Sequence, residues 1–293
     1  MKKESCFLLL DSRQHYLENM TFANYNGTMV DLSGLNRTAS LKVYTKDLVL
    51  YTEDLVKVYK NESQFYALIN ASNEKVTFEI NGNNYTRTSD ENCAAKMNIN
   101  LLPGNYTIKT SYGGVTVENN IVVLPTLIAE NLVKYFRNES QFYISLIDGE
   151  SKLIPNATIT MNINGVFYNR TTNENGTAKL NINLNPGVYI LTAVDPFTGL
   201  QMSYNITVLP VLTAEDVKMT YLDGTQFKAT LVDGQGNPLA GALITFNING
   251  VFYNRTTDEN GIAKLNIRLM AGEYIITSQY GQARISNKIT ISS

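Results

Sequence analysis

The chain has few of the side chains that carry most chemistry near neutral pH. Its 293 residues include one histidine, two cysteines and no tryptophan. Imidazole and thiolate titrate or bind metals in that range, so their scarcity argues against an acid–base, nucleophilic or metal-dependent enzyme. Charge is thin as well: charged residues make up 17% of the chain, 24 basic against 26 acidic. Without a basic surplus there is nothing to neutralise a run of phosphates, and nucleic acid is not an expected partner. Long apolar runs are missing. The start, MKKESCFLLLDSRQ, carries an apolar stretch of only four residues from Phe7 to Leu10, below the about seven that a signal peptide needs, and no later stretch approaches a membrane span. No export address or anchor is visible. Cys6 and Cys93 lie far apart with no CxxC companion and are expected as free thiols.

What the chain has instead is asparagine, 35 residues or about one in eight, within an apolar content of 44%. At roughly 100 to 150 residues per domain, the length allows two or three domains that each bury a core. Comparing the chain with itself narrows this. NGNNYTRTSDENCAAKMNINLLPGNYTI from Asn81 recurs as NGVFYNRTTNENGTAKLNINLNPGVYIL from Asn164 and as NGVFYNRTTDENGIAKLNIRLMAGEYII from Asn249, offsets of 83 and 85 residues. KNESQF, RNESQF and LDGTQF, ending at Phe65, Phe142 and Phe227, precede them. IVVLP and ITVLP close the first two copies at Pro125 and Pro210. Phe65 to Ile80 spans 15 positions and Phe142 to Ile163 spans 21, so the first copy lacks six residues where the third reads DGQGNPLAG. A length difference absorbed without disturbing its flanks marks a surface hairpin loop.

Each copy alternates apolar and polar residues in short runs separated by turn residues, the pattern of an all-β sandwich. In the third copy Phe227, Ala229 and Leu231 alternate with Lys228 and Thr230, and Ala242, Ile244, Phe246 and Ile248 with Leu243, Thr245 and Asn247. Asn249-Gly250 is a two-residue hairpin signal, because both residues accept positive φ. Counting Val217 to Leu222 as the opening strand gives seven strands, and the fold class expected is all-β, three tandem Ig-like sandwiches at 46–125, 126–210 and 211–293. PTLIAEN and PVLTAED read as short linkers that begin with a stiffening proline. Sheets near 25 Å tall at about 3.3 Å per residue then give a rod on the order of 100 Å.

At these motifs (GNPLAGA, NINGVFYNRTTDENG, PGxY and ITVLP) the chain resembles the repeated Ig-like domain of adhesin-like surface proteins of methanogenic archaea, related in pattern to the group 1 bacterial Ig-like domains of invasins and intimins. The resemblance covers residues 53–293. It implies an extracellular, wall-associated stalk or adhesion module with no catalytic, cofactor or metal residues to carry over. The first copy departs from it in lacking NPLAGA and reading NGNNY, and the third in having Ala271 where the others have Pro103 and Pro186. Residues 1–45 do not match the repeat. They read either as a coil of a parallel β-helix, with Leu17, Met20, Phe22 and Tyr25 at its spacing, or as a remnant in which SLKVYTKDLVLYT is the last strand of a further unit.

Four constellations compete with plainer readings. The Asn-x-Ser/Thr triplets at Asn19, Asn26, Asn36, Asn61, Asn70, Asn84, Asn105, Asn138, Asn156, Asn169, Asn175, Asn205 and Asn254 are glycosylation acceptors on an exported chain, or chance products of an Asn-, Ser- and Thr-rich composition. The turns Asp90-Glu91-Asn92, Asn173-Glu174-Asn175 and Asp258-Glu259-Asn260 offer oxygens to Ca²⁺, or are simply what turns require. Lys57, Lys134 and Lys218 with Asn119 and Asn287 suggest an internal Lys–Asn cross-link, against which stand Tyr204 in the second copy and the outward phase of Lys218. The 29 Tyr and Phe residues read as core and strand fillers, or as a Tyr row for stacking on carbohydrate. His15 reads as a surface residue. The function expected is a non-catalytic surface stalk or adhesin-like protein whose partners are a host or neighbouring cell surface, a glycan or a cell-wall polymer. The alternative is an array of carbohydrate- or wall-binding modules.

Overall fold

A computed structural model describes residues Thr21–Asn24 and 48–293 of the chain. Among them every regular element is a strand. They form two compact units, one running to Thr126 and including Ile147–Ile154, the other comprising Leu127–Leu146 and Pro155–Ser293. The fold class is the expected one: an all-β chain in which each sequence copy builds the same pair of sheets.

The third copy shows the plan. One sheet orders Val217–Thr220, Ala283–Ser292, Gly272–Tyr280, Leu243–Ile248 and Val251–Thr256, with the first pair parallel and the rest antiparallel. The other orders Leu212–Ala214, Gln226–Leu231 and Ile262–Asn266, all antiparallel. Period-two alternation turns one face of each sheet inward, and Phe227 and Phe246 meet edge to face across the gap at 5.7 Å between ring centroids. Phe65 and Phe78 do the same in the first copy at 5.9 Å. In the second copy Met161 replaces that second Phe, Ile144 replaces the Ala67 and Ala229 of its neighbours, and Tyr204 packs on Phe142 at 5.4 Å. Volume lost at one core position is regained at another, the kind of exchange that cores tolerate.

The turns follow their sequences. Asn81-Gly82, Asn164-Gly165 and Asn249-Gly250 all have φ between +51° and +79°, as a type I′ hairpin requires. The PGxY motif is a tyrosine corner: Tyr106, Tyr189 and Tyr274 each donate a hydroxyl hydrogen bond to the carbonyl four residues upstream, at 2.7, 2.8 and 3.0 Å.

Three expectations change. The stretches read as linkers contain a strand, Leu127–Ile128 in one and Leu212–Ala214 in the other, and Leu127 and Leu212 are buried. The chain enters each copy on the smaller sheet and crosses to the larger one after two or three intervening residues. Leu48–Thr52 is the matching first strand of the first copy, paired with Gln64–Ile69, and not the last strand of a preceding unit. Thr21–Asn24 adds to it antiparallel; the remainder of the segment read as a β-helix coil lies outside the described residues. Finally, Cys93 is disulfide-bonded rather than free. It occupies a turn position of positive φ where the other copies have Gly176 and Gly261, and Cys6 lies outside the described residues.

Candidate binding surface

Most recurrent polar side chains hold backbone. Asp90 Oδ1 accepts the Asn92 and Ala94 N–H groups, Asn173 Oδ1 those of Asn175 and Thr177, and Asp258 Oδ1 those of Asn260 and Ile262, all at 3.0 Å. Lys96 and Lys264 add ion pairs to the two aspartates at 2.9 and 3.1 Å. The Lys96 bond, with help from the Ala94 N–H, lowers the Asp90 pKa, and the Ile262 N–H, with Lys264, lowers that of Asp258. The acidic turns read as Ca²⁺ candidates are thus Asx turns whose oxygens serve their own loops, and the described residues hold no cluster of three or more His, Cys, Asp or Glu.

The crossing between sheets is held similarly. Asp54, Asn131 and Asp216 accept the N–H groups of Asn120, Asn205 and Lys288 on the last strand of each copy, at 2.8, 2.7 and 2.8 Å. Asn119 donates to Asp54 and accepts from Thr52. Asn287 donates to Ala214 and Asp216, and Tyr204 donates to the Leu127 carbonyl at 3.1 Å, its own pKa pushed up to about 12 by burial. The lysines of the cross-link reading point elsewhere. Lys57 Nζ donates to the carbonyls of Asn61, Ser63 and Ile99 at 2.5, 2.9 and 3.1 Å, and Lys134 Nζ to those of Asn138, Ser140 and Ile182 at 2.5, 2.9 and 3.0 Å. Burial lowers both pKa values. Lys218 is not their equivalent. The pairing of Lys57 with Val123, Lys134 with Val208 and Met219 with Ile291 puts Met219 at that position.

What remains free is the outward face of the larger sheet. Across four adjacent strands the second copy aligns Phe167, Asn162, Thr192 and Ser203, and the third aligns Phe252, Asn247, Thr277 and Ser286. Phe167 is 72% exposed and Phe252 68%, so the FYN aromatics read as strand filler include two of the most exposed apolar side chains described. Ile190 and Ile275 stand exposed beside the same rows, and Thr192–Ser203 and Thr277–Ser286 hydroxyls bond at 3.2 and 3.0 Å. Tyr168 and Tyr253, on the inward phase, are half-buried under Arg170 and Arg255. The same register in the first copy gives Asn84, Glu79, Lys109 and Glu118, with Lys109 and Glu118 ion-paired at 3.2 Å.

Of the triplet asparagines, Asn19, Asn26 and Asn36 lie outside the described residues. Asn70, Asn84, Asn105, Asn156, Asn169, Asn175, Asn205 and Asn254 are exposed, while Asn61 and Asn138 are half-buried.

No protein-family model matches the chain, and no curated protein does. Solved structures similar to it include a tandem segment of titin (16% identity, 82% of this chain and 97% of that one, TM-score 0.30). A protein of the mixed-linkage glucan utilization locus of Bacteroides ovatus in complex with a mixed-linkage heptasaccharide is similar at 12% identity over 82% of this chain and 66% of that one, TM-score 0.24. A Ca²⁺-stabilised adhesin of an Antarctic bacterium that binds ice is similar at 16% identity over 83% and 75%, TM-score 0.19.

Proposed function

We propose that the chain is a non-catalytic cell-surface protein in which three Ig-like domains, 46–125, 126–210 and 211–293, form a stalk that presents an attachment face. The observation that carries this is the division of labour among its side chains. In each copy the recurrent polar groups hold backbone at turns and sheet crossings, joined in the first two copies by the buried lysine, while the second and third copies repeat an exposed sheet face with Phe at one end. An extracellular location agrees with the resemblance to archaeal surface proteins and with the exposed Asn-x-Ser/Thr triplets.

The second reading, an array of carbohydrate- or wall-binding modules, is favoured by the composition of that face. A Phe ring offers a flat apolar surface to the C–H groups of a sugar, and the Asn, Thr and Ser beside it can both donate and accept hydrogen bonds. Retention of the chain on insoluble peptidoglycan, chitin and cellulose, alongside adhesion of coated beads to cells, separates the two. Polysaccharide retention selects the module array. Bead adhesion without it selects a protein-directed adhesin, and neither result removes the attachment role.

A further inference from the structure

The two half-buried triplet asparagines share an arrangement that the exposed ones lack. Asn61 Oδ1 accepts the Ser63 N–H at 2.7 Å and Asn138 Oδ1 the Ser140 N–H at 2.6 Å, each closing a turn. Each Nδ2 then donates to a glycine carbonyl in the following copy: Asn61 to Gly149 at 2.6 Å within the first compact unit, and Asn138 to Gly234 at 2.5 Å within the second. The lysine ammonium holds both turns from beneath through the asparagine's own carbonyl. The receiving loops are shaped by an aspartate. Asp148 Oδ1 accepts the Glu150 and Lys152 N–H groups, and Asp233 Oδ1 those of Gln235 and Asn237, at 2.8 to 2.9 Å.

We propose that the Lys–Asn turn of one copy and the Asp–Gly loop of the next are the two halves of a keyed joint that docks consecutive copies. The key lies two residues along the loop. Tyr135 in the second copy leans on Gly236 in the third so closely that a Cβ there would stand 2.5 Å from the tyrosine hydroxyl oxygen. In the first joint Val58 stands at the position of Tyr135 and Ser151 at that of Gly236, so the smaller of the two turn residues goes with the loop that carries a side chain. Each turn therefore goes with its own loop, and a side chain at Gly236 would make the Tyr135 ring swing off the loop and give up that contact. The copies divide the parts accordingly. The first has the turn but lacks the six residues of the loop, the second has both, and the third has the loop with Met219 and Asp223 in place of lysine and asparagine. The Asp223 carboxylate accepts the Thr220 and Thr225 N–H groups and has no hydrogen to donate. A glycan on Asn61 or Asn138 would occupy the Nδ2 that makes the joint.

The test is limited proteolysis of the full chain, scoring cleavage in the connection 209–216. Asn138→Asp keeps the turn-closing oxygen, removes the donor and sets a carboxylate oxygen against the Gly234 carbonyl, so cleavage there should rise at least roughly five-fold, the equivalent of one ordinary hydrogen bond lost. Gly236→Ser should do the same, and Tyr135→Val should restore the Gly236→Ser chain towards wild type. Serine at Gly236 also carries backbone strain, since φ there is +90° against +64° at Ser151, so the rescue by Tyr135→Val reads the ring contact apart from that strain, and if Gly236→Ser fails to fold, Asn138→Asp decides alone. Unchanged cleavage in a folded Asn138→Asp chain, or additive effects of Gly236→Ser and Tyr135→Val with no rescue, would overturn the joint.

Discussion

The first and second copies build the same sandwich and end in different surfaces. Facing inward, Ile80 and Ile163, Ala95 and Ala178, and Ile121 and Ile206 occupy matching buried positions. Facing outward at the neighbouring positions, the first copy has Asn84, Glu79, Lys109 and Glu118, and the second Phe167, Asn162, Thr192 and Ser203. The inward phase must fill a fixed volume, which restricts it to exchanges of similar size. The outward phase carries no such constraint, so the exposed phenylalanine repeated at one register position in two copies has no packing need behind it, and it is where the proposed attachment face is tested. An ion pair as open as Lys109–Glu118 contributes little to stability, which makes the charged face of the first copy a solvated surface and the built-in control for the other two.

Mutations on the two phases should differ most. Phe78→Ala or Phe246→Ala should cost its copy about 3–5 kcal/mol, since each removes a buried ring and leaves a cavity. Phe167→Ala or Phe252→Ala should stay within about 0.5 kcal/mol of wild type. Urea unfolding measures both, and a large loss at Phe167 would mean that the outer face is part of the packing. Next in size is Lys134→Met, which imposes on the second copy the residue found in the third. It strips the donor from three carbonyls and should cost about 1–3 kcal/mol by the same measurement. Smaller still is Ser278→Ala. The buried Ser278 and Thr110 hydroxyls have no partner and the second copy has Ala193 there, so this change should be neutral or stabilising by up to about 1 kcal/mol in thermal unfolding.

The smallest effect is electrostatic. Asp90 and Asp258 have folded pKa values below the ordinary carboxylate value, so what they contribute is present above roughly pH 4 and lost as the pH falls through the lowered value. Asn173, which closes the same turn in the second copy, does not titrate. Amide resonances of Ala94 and Ile262 should therefore move as the pH falls below about 4, and that of Thr177 should not. A matching titration of Thr177 would show that the shift arises elsewhere.

The repeat, the hairpins, seven of the eight strands and the inward phase of each copy were readable because a period of two and the Asn-Gly turns state them directly. In the second and third copies the eighth strand is hidden because it is two or three residues long and follows a proline, so it reads as a linker. The exposed phenylalanines were misread for a traceable reason. In an Asn-Gly hairpin Ile163 must pair with Val166, which puts Phe167 opposite Asn162 on the outward face, and the two-residue turn already implies that register. Reading all of the Tyr and Phe residues as core and strand fillers passes over that register. Lys218 was likewise matched by local similarity rather than by its pairing with the last strand. The joint between Asn138 and Gly234 spans 96 residues, and no local pattern pairs an asparagine with a glycine at that distance.

Retention of the folded chain on insoluble polysaccharide and on cells, wild type against the Phe167→Ala/Phe252→Ala double variant, tests the attachment face most directly. The account predicts retention on at least one surface by the wild type and a loss of at least roughly ten-fold in the variant, the equivalent of about 1.4 kcal/mol. Equal retention of the two proteins, or retention that disappears instead with Lys109→Ala on the first copy, would contradict it.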